Sequence, residues 1–170
     1  KYYKEFPIGT PLVCACQKGR FEDVKLLITG HDDVNGSNGN NNNMTLKEYV
    51  NQVGTRSDAD YDRTPIEVAA TNGHFEIVHY LIKHGANAAD NTPLVCACEK
   101  GRFEDVKLLI TGYNDVNGSN GNNNNNMTLK EYVNQVGKRS DGDVECTPLM
   151  AAAWKEHFQI VKYLIEQGEA

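Results

Sequence analysis

Apolar positions along this chain fall into short stripes with helical spacing, and one pattern recurs from four starting points. In the first, Thr10 is placed to cap a helix through its side-chain oxygen, and Pro11 sits where its missing N–H breaks no bond and its fixed φ already suits a helix. Gly19 supplies the left-handed turn that ends this short helix. Phe21, Val24, Leu27 and Ile28 then share one face of a second helix, which Gly30 is expected to close. The unit is a helical hairpin. It returns at Thr64, Thr92 and Thr147, and four copies in register argue for a stack of such hairpins, each hiding its apolar face against the next.

The pattern Thr-Pro-Leu-x-x-Ala-x-x-x-Gly-x-x-x-x-Val-x-x-Leu-Ile-x-x-Gly, as it stands from Thr10 to Gly30, resembles the ankyrin repeat. Related stretches run from Thr64 to Asn87, from Thr92 to Asn117 and from Thr147 to Gly168. The resemblance implies an all-α ankyrin-repeat solenoid, a single domain over residues 1–170 with repeats at about 10–36, 64–90, 92–118 and 147–170. It also implies that His31 to Gly36 forms the hairpin that projects from the first helix pair. The His that many ankyrin proteins carry after Thr-Pro-Leu is missing, replaced by Val13, Glu67, Val95 and Met150. A hydrogen bond between repeats is expected to be lost with it.

The second unit starts 54 residues after the first, where an ordinary ankyrin repeat takes about 33. Inserts at 37–63 and 119–146 account for the excess. Each opens with an Asn/Gly tract that has nothing to bury and is expected to be a loop. Each continues with a capping box, Thr45 with Glu48 and Thr128 with Glu131. In the first, Leu46, Tyr49, Val50 and Val53 then line one face of a helix of about two and a half turns, ended by Gly54. So short a helix must dock to be stable, and the solenoid itself is the nearest surface. From Thr92 to Gly137 the chain repeats Thr10 to Gly54 except at Gln17/Glu99, His31/Tyr113 and Asp32/Asn114, with one extra Asn. In the fourth unit Glu156 replaces the turn Gly, so a left-handed conformation is expected at a residue with a Cβ.

Composition narrows the function. The net charge of −6 is spread along the chain and no basic stripe stands out, which speaks against nucleic-acid binding. No apolar run reaches membrane-spanning length. Cys14 and Cys16, like Cys96 and Cys98, are two residues apart on a helix and point about 200° apart, so neither pair can chelate a metal or form a bridge. Buried reduced thiols and a reducing, cytoplasmic setting are expected, with Cys146 partly exposed. Tyr2, Tyr3, Phe6 and Ile8 are expected to cover the first repeat, and the start at Lys1 points to a fragment of a longer array.

No catalytic constellation emerges. His31, His74, His79, His84 and His157 are scattered, and His79 with His84 are five apart, the wrong spacing for one helical face. No catalytic residue, metal site or cofactor is expected, and the chain reads as no enzyme. It reads instead as a monomer that binds a protein partner, with no nucleic acid or membrane involved. The ankyrin resemblance implies a binding surface made of hairpin tips and the exposed side of each first helix: Val13, Gln17, Asp32, Asp33, Glu67, Thr71, Val95, Glu99, Tyr113 and Asn114. Val13 and Val95 stand out, since an exposed apolar side chain favours a partner over water. The outward faces of the inserted helices, Lys47, Glu48, Lys130 and Glu131, form a second candidate surface. The near-verbatim duplication supports an alternative, a structural spacer or an engineered repeat scaffold without a native partner.

Overall fold

The computed structural model describes residues 10–37, 44–55, 62–88, 92–118, 128–141 and 144–169. Residues 1–9, expected to cover the first repeat, and most of both Asn/Gly tracts lie outside the described residues. Among the described residues the fold is all-α apart from two small hairpins, and the chain divides into two compact units, Lys1–Asn87 and Ala88–Ala170.

The first unit holds α1 (Thr10–Gln17), α2 (Phe21–Ser37), α3 (Leu46–Val50), β1 (Gly54–Thr55), β2 (Asp62–Arg63), α4 (Pro65–Asn72) and α5 (Phe75–Lys83). Helices α1 and α2 form the first hairpin, α4 and α5 the second, and α4 stands against α1. Leu12, Val13, Cys16, Val24, Ile28, Ile66, Ala69 and Leu81 are buried. Gly19 and Gly73 hold the left-handed turns, at φ +66° and +83°. Thr64 caps α4 through a box with Glu67.

The second unit repeats the plan with α6 (Thr92–Glu99), α7 (Phe103–Gly118), α8 (Leu129–Asn134), β3 (Gly137–Lys138), β4 (Glu145–Cys146), α9 (Pro148–Trp154) and α10 (Phe158–Glu169). Helix α9 packs on α6, and α10 on α8 and α9. Glu156 adopts φ +59°, as expected from its place at the turn. Cys16, Cys96 and Cys98 are buried, Cys14 is partly exposed against the expectation, and none of the five cysteines is in a disulfide. Cys146 is buried too, because it pairs in the ladder opposite Gly137.

The inserts correct the expected hairpin. Gly30 does not close α2, which runs on through His31–Gly36 to Ser37, and Gly112 is likewise inside α7. A helical Gly costs only about 1 kcal/mol against Ala. The added turns recover this through docking: the His31 ring stacks on Tyr49 of α3 at 4.4 Å. The hairpins come after the inserted helices instead, with Gly54 opposite Arg63 and Gly137 opposite Cys146.

Both capping boxes form as the sequence predicts, and α3 docks within its own unit, burying Val50. The helix is shorter than expected. Asn51 ends it, its amide donating to the carbonyls of Lys47 at 2.6 Å and Gly85 at 2.9 Å while its side-chain oxygen accepts from the Asn87 N–H at 2.6 Å. Val53 therefore falls beyond the helix and is exposed.

Candidate binding surface

The first-helix faces expected to meet a partner are largely closed by the chain itself. Val13 and Val95 are fully buried, which overturns their reading as exposed apolar contacts. Strand β1 lies against α1 and strand β3 against α6. In the second unit the Lys138 N–H donates to the Thr92 hydroxyl at 3.2 Å, and the Cys96 thiol donates to the Lys138 carbonyl at 3.5 Å. A hairpin that must satisfy its outer edge finds polar partners on the helix below, and the valine is covered in passing.

Glu99 anchors the same hairpin. Arg139 donates to its Oε1 through Nη2 at 2.8 Å and Nε at 3.3 Å, while the N–H and hydroxyl of Ser140 donate to Oε2 at 2.9 and 2.8 Å. Burial alone would raise the carboxyl pKa. The Ser140 N–H, the Arg139 guanidinium and the Ser140 hydroxyl outweigh it and hold the pKa down to about 2. Arg139 in turn stacks its guanidinium on Trp154, 4.6 Å from the ring centroid. Glu99 is thus a structural clamp.

The other expected positions scatter. Thr71 is buried and donates to the carbonyls of Glu67 and Val68 in its own helix. Glu67 takes part in the α4 capping box. Gln17 is partly exposed, and its carbonyl lies 3.3 Å from His74 Nε2, which donates in the Nε2-protonated tautomer. Asp32 and Asp33 fall in α2, and Tyr113 and Asn114 in α7, so none is at a hairpin tip; their side chains lie outside the described residues. Lys47, Glu48, Lys130 and Glu131 face outward as expected, with Glu48 and Glu131 held below the usual carboxylate range by the Thr45 and Thr128 N–H groups and hydroxyls.

Two features escaped the sequence reading. His74 rests over Gly19, where an added Cβ would stand 2.5 Å from the ring, and His157 rests over Gly101, where the distance would be 2.7 Å. His157 Nε2 also lies 3.2 Å from the Glu99 carbonyl. These imidazoles supply, from another place in the repeat, the hydrogen bond expected to be missing. The second feature is the exposed pair Trp154 and Met150, which occupy in the fourth unit the positions of Glu99 and Val95.

Paired helices, a left-handed turn after each first helix and hairpins leading into Thr-Pro match a known family. A family profile described as "Ankyrin repeats (3 copies)" matches residues 5–90 and 34–120, and one described as "Ankyrin repeat" matches 145–170. The chain belongs to the ankyrin repeat family. It is 25% identical over 94% of its length to the Ankyrin repeat and KH domain-containing protein mask-1 of Caenorhabditis elegans. It is also 32% identical over 62% of its length to Alpha-latrocrustotoxin-Lt1a of Latrodectus tredecimguttatus. The chain spans 6% of the length of each relative.

Ankyrin repeats are in general protein–protein interaction modules, typically without catalytic activity. In this ankyrin chain α9 carries an exposed apolar first-helix surface. Trp154 is 68% and Met150 59% exposed, beside the Arg139 guanidinium and the exposed Asp141 and Val144 of the hairpin. Tryptophan and arginine presented together on a rigid element are the residue types that carry most of the energy of protein interfaces. Among the described residues no group of three or more His, Cys, Asp or Glu is arranged to hold a metal, and no helix is long and apolar enough to cross a membrane.

Proposed function

We propose that the chain is a non-enzymatic, cytoplasmic module that binds a protein partner through the first helix and hairpin of its fourth repeat, with Trp154 as the anchor. The observation that carries this is Trp154 itself, 68% exposed yet stacked on an Arg139 that Glu99 already holds. The stack restrains its rotamer before any partner arrives, so less side-chain entropy is lost on binding. Met150 and Val144 extend the apolar contact, and Asp141 supplies a rim charge. The duplicated strip of the first and third repeats has no such role, because Val13 and Val95 are already covered.

Affinity purification from native cells tests this, comparing the intact chain with Trp154→Ala. The expected result is one partner or more held by the intact chain and lost, at least tenfold, from the variant. Identical partner sets would exclude the surface. The duplication favours a second reading, a spacer: no partner of the intact chain, with full thermal stability, would support it.

A further inference from the structure

Ser140 opens the turn between β3 and β4, directly after Arg139, whose N–H donates to the Val144 carbonyl at 3.0 Å and extends the ladder. Ser140 is partly exposed, and Asp141 and Glu145 beside it in the hairpin are exposed. Its hydroxyl nevertheless donates to Glu99 Oε2 at 2.8 Å, next to its own N–H at 2.9 Å. An accessible serine thus helps to hold a carboxylate side chain that is only 7% exposed, beside an Arg139 side chain that is 11% exposed.

The same local sequence recurs in the first unit. Beyond Gly54 and Gly137 the two copies diverge, with Thr55 against Lys138, Tyr61 against Val144 and Arg63 against Cys146. Arg56-Ser57-Asp58 and Arg139-Ser140-Asp141 are nonetheless the same three residues. The Glu99 clamp accounts for the triad in the second unit. It does not account for the triad in the first, where Gln17 brings no charge to the position of Glu99. A serine-centred triad on a turn, present with and without the charge that it grips, fits a sequence read by an enzyme that takes the segment in extended form.

We propose that Ser140 is a phosphorylation site, modified by an ATP-dependent serine kinase that selects an acidic residue directly after its target, and that the phosphate keeps the hairpin from closing on α6. The Ser140 oxygen attacks the γ-phosphorus of ATP, the bond from that phosphorus to the bridging oxygen breaks, ADP leaves, and the hydroxyl proton passes to the base of the kinase. Before the reaction this oxygen donates to Glu99. Afterwards it has no proton to donate and the group carries about two negative charges beside that carboxylate. Two carboxylates already share the Arg139 guanidinium, Glu99 at 2.8 Å and Asp141 at 3.6 Å. A third anion meets a cation already neutralised, in a site with little water to screen it, so repulsion and lost hydration outweigh what Arg139 returns. The kinase needs the turn free of α6, which a ladder of two residue pairs permits by local opening, and the phosphate then prevents reclosure. Arg139 moves with the hairpin, so Trp154 loses the cation stacked 4.6 Å from its ring centroid. Neither step requires a partner at Trp154.

Two measurements on the full chain provide the test. Peptide mass spectrometry of the chain isolated from native cells, with phosphatases inhibited, should find about 80 Da added at Ser140. No addition there would overturn the assignment. The second measurement uses the chain produced with phosphoserine encoded at position 140. The Lys138 N–H, bonded to the Thr92 hydroxyl, and the Arg139 N–H, bonded to the Val144 carbonyl, should exchange about a hundredfold faster than in the unmodified chain, with circular dichroism unchanged. Ser140→Ala removes the hydroxyl without adding charge, and should speed the same amides no more than about tenfold. In Glu99→Gln the phosphate should add less than about tenfold, because the charge it repels is gone. Exchange no faster with the phosphate, equal acceleration with and without Glu99, or Ser140→Ala matching the phosphorylated chain would overturn the proposal.

Discussion

The two copies of the duplicated stretch differ at three positions and one added Asn, and Gln17 against Glu99 has the clearest structural consequence. In the second unit a carboxylate at the end of the first helix collects Arg139 and Ser140 and ties the hairpin to α6. In the first unit the same position is a neutral amide, although Arg56 and Ser57 follow Gly54 just as Arg139 and Ser140 follow Gly137. Both valines beneath the hairpins are nevertheless buried. The lesson is that ladder geometry and burial place the hairpin, while the carboxylate adds a charge clamp to a contact already made.

Breaking the clamp gives the largest effect. Glu99→Gln leaves the largely buried Arg139 guanidinium with only the looser Asp141 carboxylate at 3.6 Å, and chemical denaturation should show a loss of about 2–3 kcal/mol, whereas Gln17→Ala should change stability by less than about 0.5 kcal/mol. The same clamp sets a pH dependence. The Glu99 carboxyl titrates at about 2 in the folded chain, below its ordinary value of 4.5, so its contribution is complete above about pH 5 and fades as pH falls toward 2. In Glu99→Gln that part of the acid sensitivity should vanish, which a denaturation series across this window measures.

The turn glycines sharpen the comparison next. Gly101→Ala must accept φ +69° and push the His157 ring aside, so a loss of about 2 kcal/mol is expected in thermal unfolding. Converting the first unit toward the second is a smaller step: Gln17→Glu should add about 1 kcal/mol, because the sequence after Gly54 repeats, in Arg56 and Ser57, the residue types that hold Glu99. Smallest is Gly112→Ala, inside α7 with nothing among the described residues within 4 Å of the added methyl, which should stabilise by roughly 0.5 kcal/mol.

Much of the fold was legible because its signals are local. Thr-Pro starts, capping boxes at Thr45 and Thr128, and the strained turn at Glu156 all depend on residues within four positions of each other. The reading failed where a distant partner decided. Gly30 and Gly112 looked like helix stops, but docking of the inserted helix carries α2 and α7 past them, so Asp32, Asp33, Tyr113 and Asn114 do not sit at hairpin tips. Val13 and Val95 looked exposed because a hairpin arriving after an insert of uncertain path could not be placed over them. The imidazoles of His74 and His157 were visible only as scattered histidines, although each follows its turn residue by one, the register that sets it over the preceding Gly. Cys16 was easier: burial alone pushes its thiol up to about 12, so it stays protonated and packs as a small apolar filler.

Hydrogen exchange at the Ser140 amide tests most directly whether Glu99 ties the hairpin to α6. That N–H donates to a buried carboxylate, so it should exchange slowly in the intact chain and at least tenfold faster in Glu99→Gln, with the α6 core amides little changed. Fast exchange in the intact chain, or equal rates in the two proteins, would contradict the clamp.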